Sequence, residues 1–397
     1  MDYTRRVAMV RLGVEVLLER ELRLLSGARV GVVVHPASVL SNLVHTVDAL
    51  AARPGVRLVS LFGPQHGARG EKQDNMIESE HYRDPETGLP VHSLYSEVRK
   101  PTEAMLADVD VLLYDLQDVG TRIYTFIYTM SYCMEACREY GKRFVVLDRP
   151  NPIGGAAVEG NVLEPECRSF VGRYPLPMRH GMTVGELALL FNAEFGIGCD
   201  LTVVPMEGWR RRSWFDDTGL PWVSPSPNIP TFETTIVYPG TVLVEGTRLS
   251  EGRGTTRPFE LVGAPYVEAQ RLAAHMNGLG LPGVYFRAAY FQPCFHKWTG
   301  EVCGGVQIHV TDRQAFEPYL AGVALLAGVR ALHPDQFAWR DPPYEYEHER
   351  LPIQLLSGSR SIVAAMESGA TPEQLRASWR EDVERFRAAR AQYLLYD

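Results

Sequence analysis

The sequence predicts an α/β protein: a Rossmann-like, doubly wound, mostly parallel sheet followed by a smaller C-terminal α+β domain. Three observations carry this. Short valine- and leucine-rich runs recur through the first half without alternation, as strands covered on both faces require. Stretches with helical periodicity separate them. Each run ends in polar residues, and open α/β sheets bind ligands at the carboxyl ends of their strands.

The elements follow in order. "ARVGVVVHPAS" (28–38) supplies the first strand and ends at His35. A helix is expected over 43–52, then a second strand, "VRLVSLF" (56–62), running into Gln65 and His66. "DVDVLLYDLQD" (108–118) is the third strand, followed by a helix over 124–140. "KRFVVLDRPNP" (142–152) is the fourth and "DLTVVPM" (200–206) the fifth. The helix between them, 183–195, opens on Thr183 and Glu186, spaced as a capping box. No GxGxxG follows the first strand, so no dinucleotide cofactor is expected. Residues 209–265 are dense in proline and glycine with little periodicity, which reads as a functional loop region or a connection. Beyond it come a helix (266–277), strand-like runs (284–291 and 301–311), a helix (314–331) and an amphipathic helix from 372 to about 393. This divides the chain into a Rossmann-like domain, 1–255, and a smaller α+β domain, 256–397.

Composition excludes several functions. A chain of 397 residues exceeds one ordinary core. The net charge of −8, with no Lys/Arg block, argues against a nucleic-acid partner. No apolar run is long enough to span a membrane, and the N-terminus lacks the pattern of a signal peptide. The chain is therefore expected in the cytoplasm, without a membrane partner. Its six cysteines show no CxxC or zinc spacing, and Cys133 and Cys137, four apart, read as core positions. No HxxEH, Asp-rich calcium loop or GxSxG elbow occurs, so neither a metal nor a serine nucleophile is indicated. Nothing in the sequence fixes an oligomeric state.

Five polar constellations remain. "GPQHGARGEKQDNMIES" carries Gln65, His66, Arg69, Asp74 and Glu78 behind a tight turn. "YDLQDVGTRIYT" carries Asp118, Arg122 and Tyr124. Tyrosine faces suit sugar rings and core packing equally. "LDRPNP" places Asp148, Arg149 and Asn151 together, as a ligand site or as a local ion pair fixing a turn. His180 lies just before a helix N-terminus and reads equally as an anion contact or part of the cap. Asn228, Glu251, Arg253 and Thr255 sit on Gly/Pro scaffolds that suit binding loops. Carboxylates, arginines, amides and tyrosines together point to a small, polar, partly anionic ligand such as a carbohydrate acid.

The motifs "LFGPQHG.RG", "LYDLQDVGTRIYT", "VVLDRPNPIGG", "SPNIPT" and "EGTRLSEGRGTTRPFE" resemble the exo-β-N-acetylmuramidase (NamZ-type) glycoside hydrolase family. The resemblance runs from about residue 29 to the C-terminus. It implies a Rossmann-like catalytic domain plus a smaller C-terminal auxiliary domain, with the site in the cleft between them. It also implies removal of terminal N-acetylmuramic acid from peptidoglycan fragments, without metal or organic cofactor. In that family the turn usually reads Gly-Pro-Glu-His-Gly, and its glutamate is the proposed catalytic residue. Here Gln65 stands at that place, and an amide cannot donate a proton as a carboxylic acid does.

The expected catalytic set is therefore Gln65, His66, Glu78 and Asp118. Glu78 is the preferred acid over Asp74 and Glu71, because Met76 and Ile77 precede it and could bury it and raise its pKa. An N-acetyl sugar can also supply its own acetamido group as nucleophile, which Gln65 could orient. Asp148 and Glu251 are further candidate carboxylates. Arg122, Arg149 and Arg253 are candidates for forked contact with a lactyl carboxylate. The alternatives are a sugar-binding protein without turnover and a hydrolase of another glycoside.

Overall fold

The structure is a computed structural model, and it describes residues 9–65, 67–68, 81–95 and 97–397. Its strands run β1 (Arg29–Val33), β2 (Arg57–Gly63), β3 (Tyr82–Arg83), β4 (Pro90–Ser93), β5 (Val111–Tyr114), β6 (Arg143–Leu147), β7 (Glu159–Val162), β8 (Pro177–Arg179) and β9 (Asp200–Val204). The C-terminal strands are β10 (Leu261–Ala264), β11 (Val284–Phe291) and β12 (Cys303–Val310). The main sheet has the order β3-β4-β2-β1-β5-β6-β9. Every neighbouring pair is parallel except β3–β4. Strand order reverses direction at β1 and β5, the switch point of a doubly wound sheet. β10, β12 and β11 form a separate antiparallel sheet, and β7 pairs with β8 in a short ribbon.

The unalternating apolar runs have a direct cause. Side chains alternate across a strand, and both faces of this sheet are covered. On β5, Val111 and Leu113 enter one hydrophobic cluster while Leu112 and Tyr114 enter the other. The first cluster includes Leu12, Val14 and Leu17, from a helical N-terminal stretch that sequence reading treated only as a leader test. Gly13 lets that stretch reach the sheet: a Cβ there would lie 2.4 Å from the Asp148 nitrogen. The second cluster includes helix Phe126–Glu139 and helix Val184–Glu194. The latter begins with the expected capping box. Thr183 Oγ1 accepts from the Glu186 nitrogen, and the Glu186 carboxylate accepts from the Thr183 nitrogen.

Two expectations are corrected. The stretch 209–265 is not all loop, because it contains helix Phe232–Thr241, whose lack of periodicity reflects burial on most sides. That helix crosses helix Pro318–Leu332 backbone to backbone at Gly240 and Gly322: a Cβ on Gly240 would sit 1.9 Å from the Pro318 carbonyl oxygen. The C-terminal helix is also not continuous. It breaks at Trp379 into Pro372–Ser378 and Arg380–Arg390, where the buried indole packs on the Tyr319 ring at 5.3 Å. Among the described residues, no helix is long and apolar enough to cross a membrane.

At the switch point the polar strand ends close on one another. Arg149, after β6, forks onto Asp115, after β5, at 2.6 and 2.8 Å, and Thr46 also donates to Asp115. The Asp115 side chain is fully buried and that of Arg149 is 4% exposed. Removing one member of a buried pair strands the other's charge, at a cost of about 3–5 kcal/mol. Arg149→Leu should therefore lower the unfolding free energy by about that amount in urea titration. A loss under about 1 kcal/mol, as for an exposed pair, would contradict this assignment.

Candidate active site

β2 runs into Gly63-Pro64-Gln65. A side chain at Gly63 would meet the Ala68 nitrogen at 2.7 Å, so glycine permits the turn that lifts Gln65 off the strand. Gln65 enters a cavity of about 490 Å³, mouth included. The β5 loop adds Tyr124 and Thr125, the 224–231 loop adds Ser226 and Asn228, and the C-terminal half adds Glu245, Arg253, Tyr344 and Glu345. Ile123, Val171, Tyr238 and Phe259 give it apolar walls.

A single polar network lines it. Thr125 Oγ1 donates to Gln65 Oε1 at 3.0 Å, which directs the amide nitrogen towards Tyr95 Oη at 3.2 Å and Glu345 Oε1 at 3.4 Å. Tyr95 Oη donates to Glu345 Oε2 at 2.7 Å. On the other side, Glu245 accepts from Arg253 at 2.7 Å and from the Tyr344 hydroxyl at 2.6 Å. Behind them Glu251 is buried against Lys297 at 2.9 Å, with Arg253 and His296 at 3.2 and 3.3 Å. Burial alone would raise the pKa of Glu251, but Lys297, Arg253 and His296 together hold it down at about 2. Glu345 goes the other way: burial, with Glu245 nearby, pushes its carboxyl up to about 7. The environments of two carboxyls in one network thus push their pKa values in opposite directions.

The sequence-derived candidates divide accordingly. Gln65, Tyr124, Asn228 and Arg253 line the cavity. Glu251 does not line it but anchors Arg253. Thr255 donates to the Gly252 carbonyl at 2.6 Å within its own loop. Arg122 is fully buried and spends its guanidinium on the carbonyls of Asn161, Leu176, Leu356 and Ser357. Arg149 is held by Asp115.

Asp148 is bound by Thr183, the Gly185 nitrogen and the Tyr396 hydroxyl, and burial raises it to about 7. Asn151 fixes its own turn, donating to the Met182 carbonyl and accepting from the Ile153 nitrogen. Asp118 accepts from the Gly120 nitrogen at 2.7 Å, and His180 Nε2 lies 3.7 Å from it. None of Arg122, Arg149, Asp148, Asn151, Asp118 and His180 lines the cavity. His66, Arg69, Asp74 and Glu78 lie outside the described residues.

Sequence reading missed Tyr95, Glu245, Tyr344 and Glu345. Glu245 opens the "EGTRLSEGRGTT" motif and was within reach of that reading. Glu345 sits in "PPYEYEHER", with no local pattern that separates it from a solvated turn. Among the described residues, no group of three or more His, Cys, Asp or Glu is arranged to hold a metal ion.

The depressed pKa of Glu251 gives a pH signature. A carboxyl held below its unfolded value of about 4.3 contributes stability above that value, and the contribution is lost as pH falls towards the folded pKa of about 2. Lys297→Met should lower the melting temperature at pH 7, and its deficit against wild type should narrow between about pH 4.5 and 2. An equal deficit at both ends of that range would show that Lys297 does not hold the carboxylate ionised.

Residues 30–233 match the family model for the N-terminal part of exo-β-N-acetylmuramidase NamZ, and residues 236–396 match the model for its C-terminal part. Peptidoglycan β-N-acetylmuramidase NamZ of Bacillus subtilis (strain 168) is 48% identical over 395 residues, covering 100% of this chain and 93% of that protein. Two crystal structures of DUF1343 family proteins from Bacteroides fragilis NCTC 9343 superpose with TM-scores of 0.88 and 0.75, at 40% and 30% identity. Each alignment covers 98% of this chain and 99% of the other. The chain belongs to the exo-β-N-acetylmuramidase NamZ family.

Proposed function

We propose that this protein is a glycoside hydrolase that removes a terminal N-acetylmuramic acid unit from peptidoglycan-derived fragments. The observation that carries the reading is the cavity itself, in a chain matched over its whole length by a peptidoglycan β-N-acetylmuramidase. It sets two carboxyls, Glu245 and Glu345, with an arginine, two amides and aromatic walls around one concave space. In this reading the cleft between the two halves is the site. Gln65 orients the acetamido group for attack on the anomeric carbon, as substrate-assisted cleavage of an N-acetyl sugar requires. Tyr124 and Asn228 contact the ring. Arg253 faces the lactyl carboxylate, since it lines the cavity while Arg122 and Arg149 do not. His66, Arg69, Asp74 and Glu78 follow Gln65 in the sequence and remain candidates for the same site. The six cysteines, all free thiols and five of them buried, support a reducing compartment, the cytoplasm.

One observation favours a second reading, a sugar-binding protein without turnover: Gln65 stands where the family usually has glutamate. A 4-nitrophenyl N-acetyl-β-muramide separates the two. The hydrolase reading expects the purified protein to release nitrophenol together with free N-acetylmuramic acid. Tight binding without release, with activity gained in Gln65→Glu, would establish the binding protein instead.

A further inference from the structure

We propose that Glu345 is the general acid of this site, supplying to the glycosidic oxygen the proton that Gln65 cannot. The inference rests on the glycosidase reading above and adds the residue that makes turnover feasible without a glutamate at position 65.

The backbone is the first argument. Tyr344 and Glu347 exchange backbone hydrogen bonds, each at 2.9 Å, which closes a four-residue turn. Its two central residues, Glu345 and Tyr346, have φ of 46° and 67°. Two positive φ values are the mark of a type I′ turn, whose usual occupants are Asn and Gly. A Glu-Tyr pair is strained there, and such strain persists only where the surroundings enforce it. Here they do. The Tyr346 ring lies under the Arg99 guanidinium, 3.4 Å from the ring centroid, and edge-on to Tyr95. The product of this geometry is a buried carboxyl at the cavity wall beside Gln65.

The second argument compares the carboxyls. Glu245 has one oxygen on Arg253 and the other on the Tyr344 hydroxyl, which suits a fixed anion. Glu251 is surrounded by cations and lies behind the cavity. Among the described residues, Glu345 accepts from the Gln65 amide and the Tyr95 phenol. The charged and titratable groups around it, among the described residues, are Tyr95, Tyr238, Tyr344, Tyr346, Glu245 and Arg253. Burial and the Glu245 charge favour its neutral form, and a pKa of about 7 leaves the carboxyl part-protonated at neutral pH and mostly protonated below it. A raised pKa means that acid function is present below about pH 7 and lost as pH rises through it.

The step balances. As the C1–O bond breaks, its electron pair goes to the leaving oxygen, which takes the Glu345 proton and departs as a hydroxyl. The water that completes hydrolysis places its oxygen on C1 and returns one proton to the Glu345 carboxylate. Net consumption is one water per bond.

The test uses full-length protein and two substrates. Nitrophenolate leaves readily without protonation, whereas the alkoxide of a second sugar does not. Glu345→Gln should lose about 10²–10⁴-fold in kcat on a disaccharide with β-linked terminal N-acetylmuramic acid. On the nitrophenyl substrate it should lose far less, with KM within a few-fold on both. The fall in wild-type kcat near pH 7 should disappear in the variant. Glu345→Asn, whose side chain tolerates positive φ, should melt no lower than wild type while losing disaccharide cleavage equally.

Equal losses on both substrates with a lowered melting temperature would make Glu345 structural and overturn the proposal. So would leaving-group-dependent loss in Glu78→Gln with Glu345→Gln unaffected. A wild type inactive on both substrates would overturn the glycosidase reading itself.

Discussion

Arg122 ties two distant segments of the chain together immediately before Ile123 and Tyr124, which line the cavity. Its guanidinium is fully buried and takes no carboxylate partner. It donates to carbonyls of Asn161 and Leu176 beside the β7–β8 ribbon and to Leu356 and Ser357 at the end of helix Pro352–Ser357. A buried cation is costly unless its donors are met, and four carbonyl dipoles from two distant segments meet its two terminal nitrogens here. Gly358 is part of the fit, because a Cβ there would sit 2.5 Å from the guanidinium. Arg122 also lies two residues before Tyr124, so the residue that clamps the C-terminal half fixes the start of the cavity wall.

From that clamp, polar order passes through the site as one connected network. Lys297 holds Glu251, Glu251 lies against Arg253, Arg253 holds Glu245, and Glu245 holds Tyr344. Tyr344 opens the turn that carries Glu345, and Glu345 meets Tyr95 and Gln65, which Thr125 orients. Every member sits in a low-dielectric interior, where such bonds strengthen one another and an unmet group is expensive. The consequence is preorganisation: a carboxyl pushed up to about 7 and another held at about 2 keep their separate states because neither can rearrange alone.

The sheet was legible because burial on both faces leaves a plain signature, visible in Val30, Val32 and Val33 of β1. The polar strand ends were legible too, but not their division of labour. Asp115 and Arg149 look as reactive in a string of letters as Gln65 and Tyr124. Only the register of β1, β5 and β6 shows that the first pair closes on itself. Glu345 was illegible for a different reason. It lies 280 positions from Gln65, and a Glu-Tyr turn centre does not announce positive φ as Asn-Gly would. Helix Phe232–Thr241 was hidden by its own burial, which removes the polar face that periodicity needs.

The same geometry explains how glutamine at position 65 is compatible with catalysis. Two carboxyls at the 3.4 Å separating Gln65 from Glu345 could not both ionise, and they would share one proton between them. With an amide at position 65 there is nothing to share with. Gln65 Nε2 donates to Glu345 and cannot titrate, so the proton of the pair resides on Glu345 alone. Its release is then governed by burial, by the Tyr95 hydroxyl bond and by the Glu245 charge. The substitution thus turns a coupled dyad into a single acid, and it moves the proton donor from the sheet's turn to the strained loop of the C-terminal half.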